Sequence, residues 1–145
     1  MARPGKQLVQ LPTNEEVKAT MSPLSQEGLE AMLKSPNTPP LVVIYFTAKW
    51  CGPCKRVNLH RVTQYRKDIV WYVCDVDENN YSLGYCGGRQ IPAWLAIVNG
   101  KAHLPIAQIS DDLAVCTWLS KLPVYGVPPL TALAGTGQSS PSQKK

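Results

Sequence analysis

The stretch Leu41-Val42-Val43-Ile44-Tyr45-Phe46-Thr47-Ala48-Lys49-Trp50-Cys51-Gly52-Pro53-Cys54-Lys55 decides the architecture. Its first six residues are apolar with no alternation, which predicts a strand buried on both faces. Two cysteines follow three positions apart, with Gly52-Pro53 between them, and the residues from there to Lys67 suit a helix. A strand that delivers a Cys-X-X-Cys pair to a helix start is a layout for thiol–disulfide exchange. The thiolate is the reactive species, and a helix N-terminus favours negative charge.

The rest of the composition narrows the function class. The chain has 145 residues, 44% of them apolar, which suits one domain with a real core. That domain is expected over residues 1–123, with a flexible Pro/Gly/Ser-rich tail over 124–145. Net charge is +5, from 15 Lys+Arg against 10 Asp+Glu, and the basic residues are scattered. Only Arg61 to Lys67 is dense, and it reads as a solvated helix face, so no nucleic-acid partner is expected. Five cysteines (Cys51, Cys54, Cys74, Cys86 and Cys116) form no regular framework, which argues against a stapled secreted domain. The N-terminus lacks an apolar signal core, so a cytoplasmic location is expected. Arg3 and Lys6 without an acid in residues 1–14 leave organelle targeting as the weaker reading. No apolar run reaches 18 residues, so no membrane partner is expected.

Outward from the central stretch, an apolar alternation at Gln7–Leu11 predicts an edge strand, and Ser25 predicts the cap of a helix at 26–34. A single helix is expected from Cys51 to Lys67. Ile69–Val76 and Ala93–Val98 read as two more buried strands, with a short helix or turn between them at 77–90. Asn99-Gly100 predicts a hairpin into an antiparallel strand at about 101–109, which Pro105 confines to a sheet edge. Ser110-Asp111-Asp112 starts a last helix, with Leu113, Cys116, Trp118, Leu119 and Leu122 as its apolar side and Pro123 as its stop. The fold class is therefore α/β, a central mixed sheet with helices on both faces.

The chain resembles the thioredoxin family over roughly residues 7–122. Trp50-Cys51-Gly52-Pro53-Cys54-Lys55 matches that family's active-site motif, and Ile91-Pro92 resembles its Ile-Pro, whose proline is cis beside the dithiol. Asp75-Val76-Asp77 and the Asn99-Gly100-Lys101 hairpin also fit. The resemblance implies a thioredoxin fold and a protein-disulfide reductase. Cys51 would be the nucleophile, with Cys54, more buried, resolving the mixed disulfide. It further implies a redox-active Cys51–Cys54 disulfide without a bound cofactor or metal, recharged by an NADPH-dependent thioredoxin reductase, and a monomer acting on disulfide-containing client proteins. Lys49 and Lys55 flank Cys51 and add a screened positive potential. Pro53 suits the first helical turn, and Gly52 leaves room for a substrate chain. Trp50 reads either as surface around the dithiol or as a core aromatic. Ile91 and Pro92 would present backbone to an extended substrate.

Departures from the family bear on the second half of the reaction. Tyr45 stands where the family has a buried aspartate, and Val73 where it has that aspartate's lysine. Losing both members together is coherent, since either ion alone in a core is costly. A phenol with a free pKa near 10 cannot serve as a carboxylate base. Resolution by Cys54 is thus expected to be slower or to rely on water, and Tyr45→Asp to speed it. Leu59 replaces a helix-kinking proline, which predicts a straighter helix, and Ala107 replaces a glycine that admits substrate. Cys74 and Cys116 read as small core residues, and Cys86 either as such or as a regulatory surface thiol. Val127-Pro128-Pro129-Leu130 is either a proline-module ligand or part of the tail. His60 and His103 read as isolated surface residues. Besides the reductase, two readings stay open: a specialised thioredoxin-like protein with few clients or a redox-dependent binding role, and a disulfide oxidant or isomerase. Gly52-Pro53 weighs against the last.

Overall fold

The computed structural model describes residues 10–35 and 39–124. The chain begins with a short helix α1 (Asn14–Ala19), a two-residue strand β1 (Ser22–Pro23) and helix α2 (Gln26–Lys34). The central strand β2 (Leu41–Thr47) leads to two short helices, α3 (Gly52–Arg56) and α4 (Leu59–Tyr65). Strand β3 (Val70–Asp75), helix α5 (Ser82–Tyr85), the hairpin β4 (Ala93–Val98) and β5 (Lys101–Ala107), and helix α6 (Asp112–Ser120) complete it. The sheet order is β1-β3-β2-β4-β5, with β1, β3 and β2 parallel and β4 and β5 antiparallel to their neighbours. This is the expected mixed sheet.

Strand periodicity divides the core in two. Leu41, Val43 and Tyr45 of β2, with Trp94 and Ala96 of β4, face Val17, Leu59, Val62, Val115 and Leu119 from α1, α4 and α6. Val42, Ile44 and Phe46, with Ala93, Leu95 and Ile97, face Leu29 and Met32 from α2. β2 is buried throughout, as its uninterrupted apolar run requires. β3 is less covered than expected, with Val70 exposed and Trp71 to Val73 half-buried. Its outer neighbour is only two residues long and pairs with Tyr72 and Val73 alone.

Local signals account for most boundaries. Ser25 Oγ accepts the Gly28 N–H at 2.9 Å and starts α2. Asn99 and Gly100 take positive φ, 52° and 80°, as a two-residue primed turn demands. Asp111 caps α6 through the Ala114 N–H.

Several expectations are corrected. The edge strand is β1; Gln10 and Leu11 belong to no strand, and residues 7–9 lie outside the described residues. Helix α1 was not foreseen, although Thr13 and Glu16 form a reciprocal capping box at its start. The single helix over 51–67 is two helices, interrupted at Val57-Asn58 rather than straightened. Asn58 Oδ1 accepts the Arg61 N–H and restarts the chain as α4. Leu113 is 63% exposed, because Val115, Cys116 and Leu119 define the inward face of α6 and Leu113 lies off it. The Val127–Leu130 segment and the rest of the tail from residue 125 lie outside the described residues.

Candidate active site

Cys51 and Cys54 are joined in a disulfide, with their Cα atoms 5.3 Å apart. The position follows from β2. After the strand ends, Thr47 keeps its carbonyl on the Val76 N–H at 2.9 Å, and Ala48 accepts the Cys51 N–H at 3.2 Å. The chain therefore turns straight from the sheet's end into α3, and Cys51 occupies the N-cap position. Its sulfur accepts the Cys54 N–H at 3.1 Å, so a backbone donor of the first helical turn points at the expected nucleophile. Such a donor favours the thiolate over the thiol. Gly52 and Pro53 open the helix, where proline wastes no donor.

Cys51 and Cys54 are equally enclosed, at 2% and 3% exposure, so the expectation of a more buried Cys54 does not hold for this disulfide state. They pack with Ala48, and Val76 and Ile91 close the cluster. The Ile91–Pro92 peptide is cis, and the Ile91 carbonyl oxygen lies 3.8 Å from Cys51 Sγ. Sequence positions 40 apart thus meet at one sulfur. Trp50 is 67% exposed, which settles it as surface beside the dithiol and not core. Its indole N–H donates to Asp77 Oδ1 at 3.1 Å. Lys55 is exposed on α3, and its backbone N–H returns to the Cys51 carbonyl at 3.3 Å.

Behind Cys54 lies a pocket of about 780 Å³, lined by Tyr45, Thr47, Lys18, Lys49 and Arg56 among others. Tyr45 is buried at 1% exposure and stacks on Trp94 with ring centroids 4.5 Å apart. Burial pushes its phenol above the ordinary range; a hydrogen bond with Thr47 opposes this, and the Glu15 charge adds to it. Val73 packs half-buried against the same core. Among the described residues the ion pairs are Lys18–Glu15 and Arg66–Asp68, neither of them at the positions of Tyr45 and Val73. The core under Tyr45 is thus built from stacked aromatics and aliphatics, while the pocket beside Cys54 also carries charge, with the Glu15–Lys18 pair, Lys49 and Arg56 on its lining.

The remaining thiols are free. Burial raises Cys74 to about 12 and Cys86 to about 11, and burial also raises Cys116. Cys86 is half-buried against the α2-side core, an environment that keeps it protonated. Among the described residues, no three of His, Cys, Asp and Glu converge as a metal site. None of the described helices is long and apolar enough to cross a membrane.

Sequence reasoning missed the groups that brace this site. Asn14 on α1 donates to the Val57 and Lys55 carbonyls at 2.7 and 3.3 Å and accepts the Leu59 N–H at 3.0 Å. The Asn58 N–H donates to Asp112 Oδ1 at 2.9 Å. Both serve backbone groups that the α3–α4 interruption leaves without helical partners. The Asn58-Leu59 step carried an N-cap signal; the long-range contacts had none.

The thioredoxin sequence profile matches residues 20–119. The chain belongs to the thioredoxin family. It is 39% identical over 74 residues to thioredoxin from Geodia cydonium and 35% identical over 74 residues to thioredoxin from Gallus gallus, each match covering 50% of this chain and 70% of the relative. Among solved structures it is similar to oxidised mitochondrial thioredoxin 3 from Saccharomyces cerevisiae, with a TM-score of 0.61, 23% identity, and coverage of 73% of this chain and 99% of the other. The fold is the thioredoxin fold, and family and cysteine spacing together assign the site to dithiol–disulfide exchange.

Proposed function

We propose that this thioredoxin-family chain is a protein-disulfide reductase in which Cys51 attacks and Cys54 resolves. The observation that carries the reading is the Cys51–Cys54 disulfide set against the Ile91–Pro92 peptide, with a backbone N–H aimed at Cys51 Sγ. In the reduced protein the Cys51 thiolate attacks a client disulfide. One Cys51–client S–S bond forms, and one client thiolate leaves. The Cys54 thiol gives up its proton, and its thiolate attacks Cys51 Sγ. The mixed disulfide breaks, the second client thiolate leaves, and the internal disulfide forms. Two electrons pass to the client. An NADPH-dependent thioredoxin reductase returns two electrons and restores the dithiol.

Tyr45 does not take the Cys54 proton at neutral pH, since its phenol holds its own proton more tightly than in water. Water in the pocket beside Cys54 is the acceptor in this reading. The protein acts as a monomer on disulfide-containing clients in the cytoplasm, with Trp50, Gly52, Pro53, Ile91 and Pro92 forming the client-facing surface.

Reduction of insulin disulfides, with dithiothreitol and with NADPH plus a thioredoxin reductase, tests this directly. Cys51→Ser should abolish turnover, and Cys54→Ser should accumulate a client mixed disulfide through Cys51. Trapping through Cys54 instead would overturn the assignment. The absence of charge at Tyr45 and Val73 favours a second reading, a specialised protein with few clients or a redox-dependent binding role. Turnover with dithiothreitol but not with the reductase would select it.

A further inference from the structure

We propose that Gln108 is a positioning residue for client recognition, fixing the backbone that carries Ile91 to the dithiol; this rests on the reductase reading above. Gln108 Oε1 accepts two backbone N–H groups, from Arg89 at 2.7 Å and from Gln90 at 2.8 Å. The acceptor comes from a residue 18 to 19 positions away, just past the end of β5. Both donors lie in the segment between α5 and β4, before the β4 ladder begins at Ala93. One side-chain oxygen therefore does for this segment what a neighbouring strand does elsewhere in the sheet.

The segment is held at its other end by packing. Gly87 has φ of 88°, and Gly88 donates its N–H to the Leu83 carbonyl at 2.8 Å. A Cβ on Gly88 would collide with the Leu83 side chain and lie 3.0 Å from Ile106 Cδ1. Between that anchor and Pro92, the Gln108 bonds set where the chain runs. The next residue is Ile91, whose carbonyl faces Cys51 Sγ at 3.8 Å. An extended polypeptide that pairs with the Ile91 backbone needs this peptide in one orientation. A small disulfide needs only access to the sulfur. Gln108 thus tunes recognition of polypeptide disulfides and not the exchange chemistry.

Arg89, Gln90 and Gln108 are all exposed, so replacing Gln108 leaves the core intact. The test uses the full chain with two oxidants: insulin with dithiothreitol as reductant, and 5,5′-dithiobis(2-nitrobenzoate) mixed in a single turnover with protein that has been reduced beforehand and freed of dithiothreitol. For Gln108→Ala we expect KM for insulin to rise about 5- to 10-fold with kcat within about 2-fold, and the small-disulfide rate within about 2-fold. Gln108→Glu keeps an acceptor oxygen and should restore KM. Amide exchange of Arg89 and Gln90 should accelerate roughly tenfold in the alanine variant only. Unchanged insulin kinetics, equal slowing with both oxidants, or failure of glutamate to rescue would overturn the proposal. A wild-type protein inactive with both oxidants would overturn the reductase reading itself; accelerated exchange in Gln108→Ala would then show that only the functional reading, not the geometry, had failed.

Discussion

The side chain of Asn14 accepts the backbone N–H of Leu59 at 3.0 Å while its amide donates to the Val57 carbonyl at 2.7 Å. One asparagine from α1 thus satisfies both sides of the interruption that ends α3 and starts α4. Asn14→Ala leaves those part-buried backbone groups unpaired, and each such group costs about 1–3 kcal/mol. We expect a loss of about 2 kcal/mol in urea unfolding with an unchanged m-value. Asn14→Asp, which keeps the acceptor for Leu59 but not the donor, should lie between the two.

Tyr45 provides the second prediction. Its ring stacks on Trp94, and its hydroxyl is engaged by Thr47. Tyr45→Phe should leave dithiol–disulfide exchange at pH 7 within about 2-fold, since the raised phenol does not exchange protons there. Tyr45→Ala should cost about 3–5 kcal/mol by thermal or denaturant unfolding. Tyr45→Asp should speed the Cys54 step while losing the stack, so its rate is to be measured on the folded fraction, by single-turnover decay of the mixed disulfide.

Stability should depend on pH on the alkaline side. Cys74 rises from an ordinary 9.0 to about 12 and Cys86 to about 11, each because burial disfavours the thiolate. A group whose folded pKa is raised lends stability below its unfolded value, and that stability is lost as pH climbs through the folded value. Unfolding free energy should therefore hold up to about pH 9 and fall between about pH 9 and 12, where unfolded thiols ionise first. Tyr45 adds to the decline, being raised from 10.0. Cys74→Ala should flatten the slope in denaturant titrations at stepped pH; an unchanged slope would refute burial as the cause.

Asp77 Oδ1 holds the indole N–H of the exposed Trp50, the residue next to Cys51 in the chain. Because this bond is exposed, Asp77→Ala should change stability by less than about 1 kcal/mol. It should move the Trp50 indole N–H resonance and raise KM for a polypeptide disulfide, measured beside Asp77→Asn. A large loss of Tm with no change at the indole would contradict this role.

Much of the site was readable from residue order. The apolar run of β2, the Asn99-Gly100 turn and the Ser25 cap each carry a local signal strong enough to survive folding. The cysteine spacing placed the dithiol, and Ile91-Pro92 was matched to it through family resemblance. What stayed hidden depends on partners distant in sequence. The break at Val57-Asn58 rests on Asn14 and Asp112, 43 and 54 residues away from the backbone groups they serve. Gln108 has no motif, only a loop that lacks a strand beside it. Leu113 failed for a different reason: a nine-residue helix with apolar residues on several sides does not announce which face turns inward.

The interruption after Arg56 also has a mechanical consequence. The redox turn is carried on a helix of only five residues, about one and a half turns, and the chain beyond it is moored at Asn58 to Asp112. Any movement of the turn when the Cys51–Cys54 bond opens has a short lever and a firm stop. The expected outcome is a redox change felt at the tip of the molecule, with the body beyond Asn58 held in place.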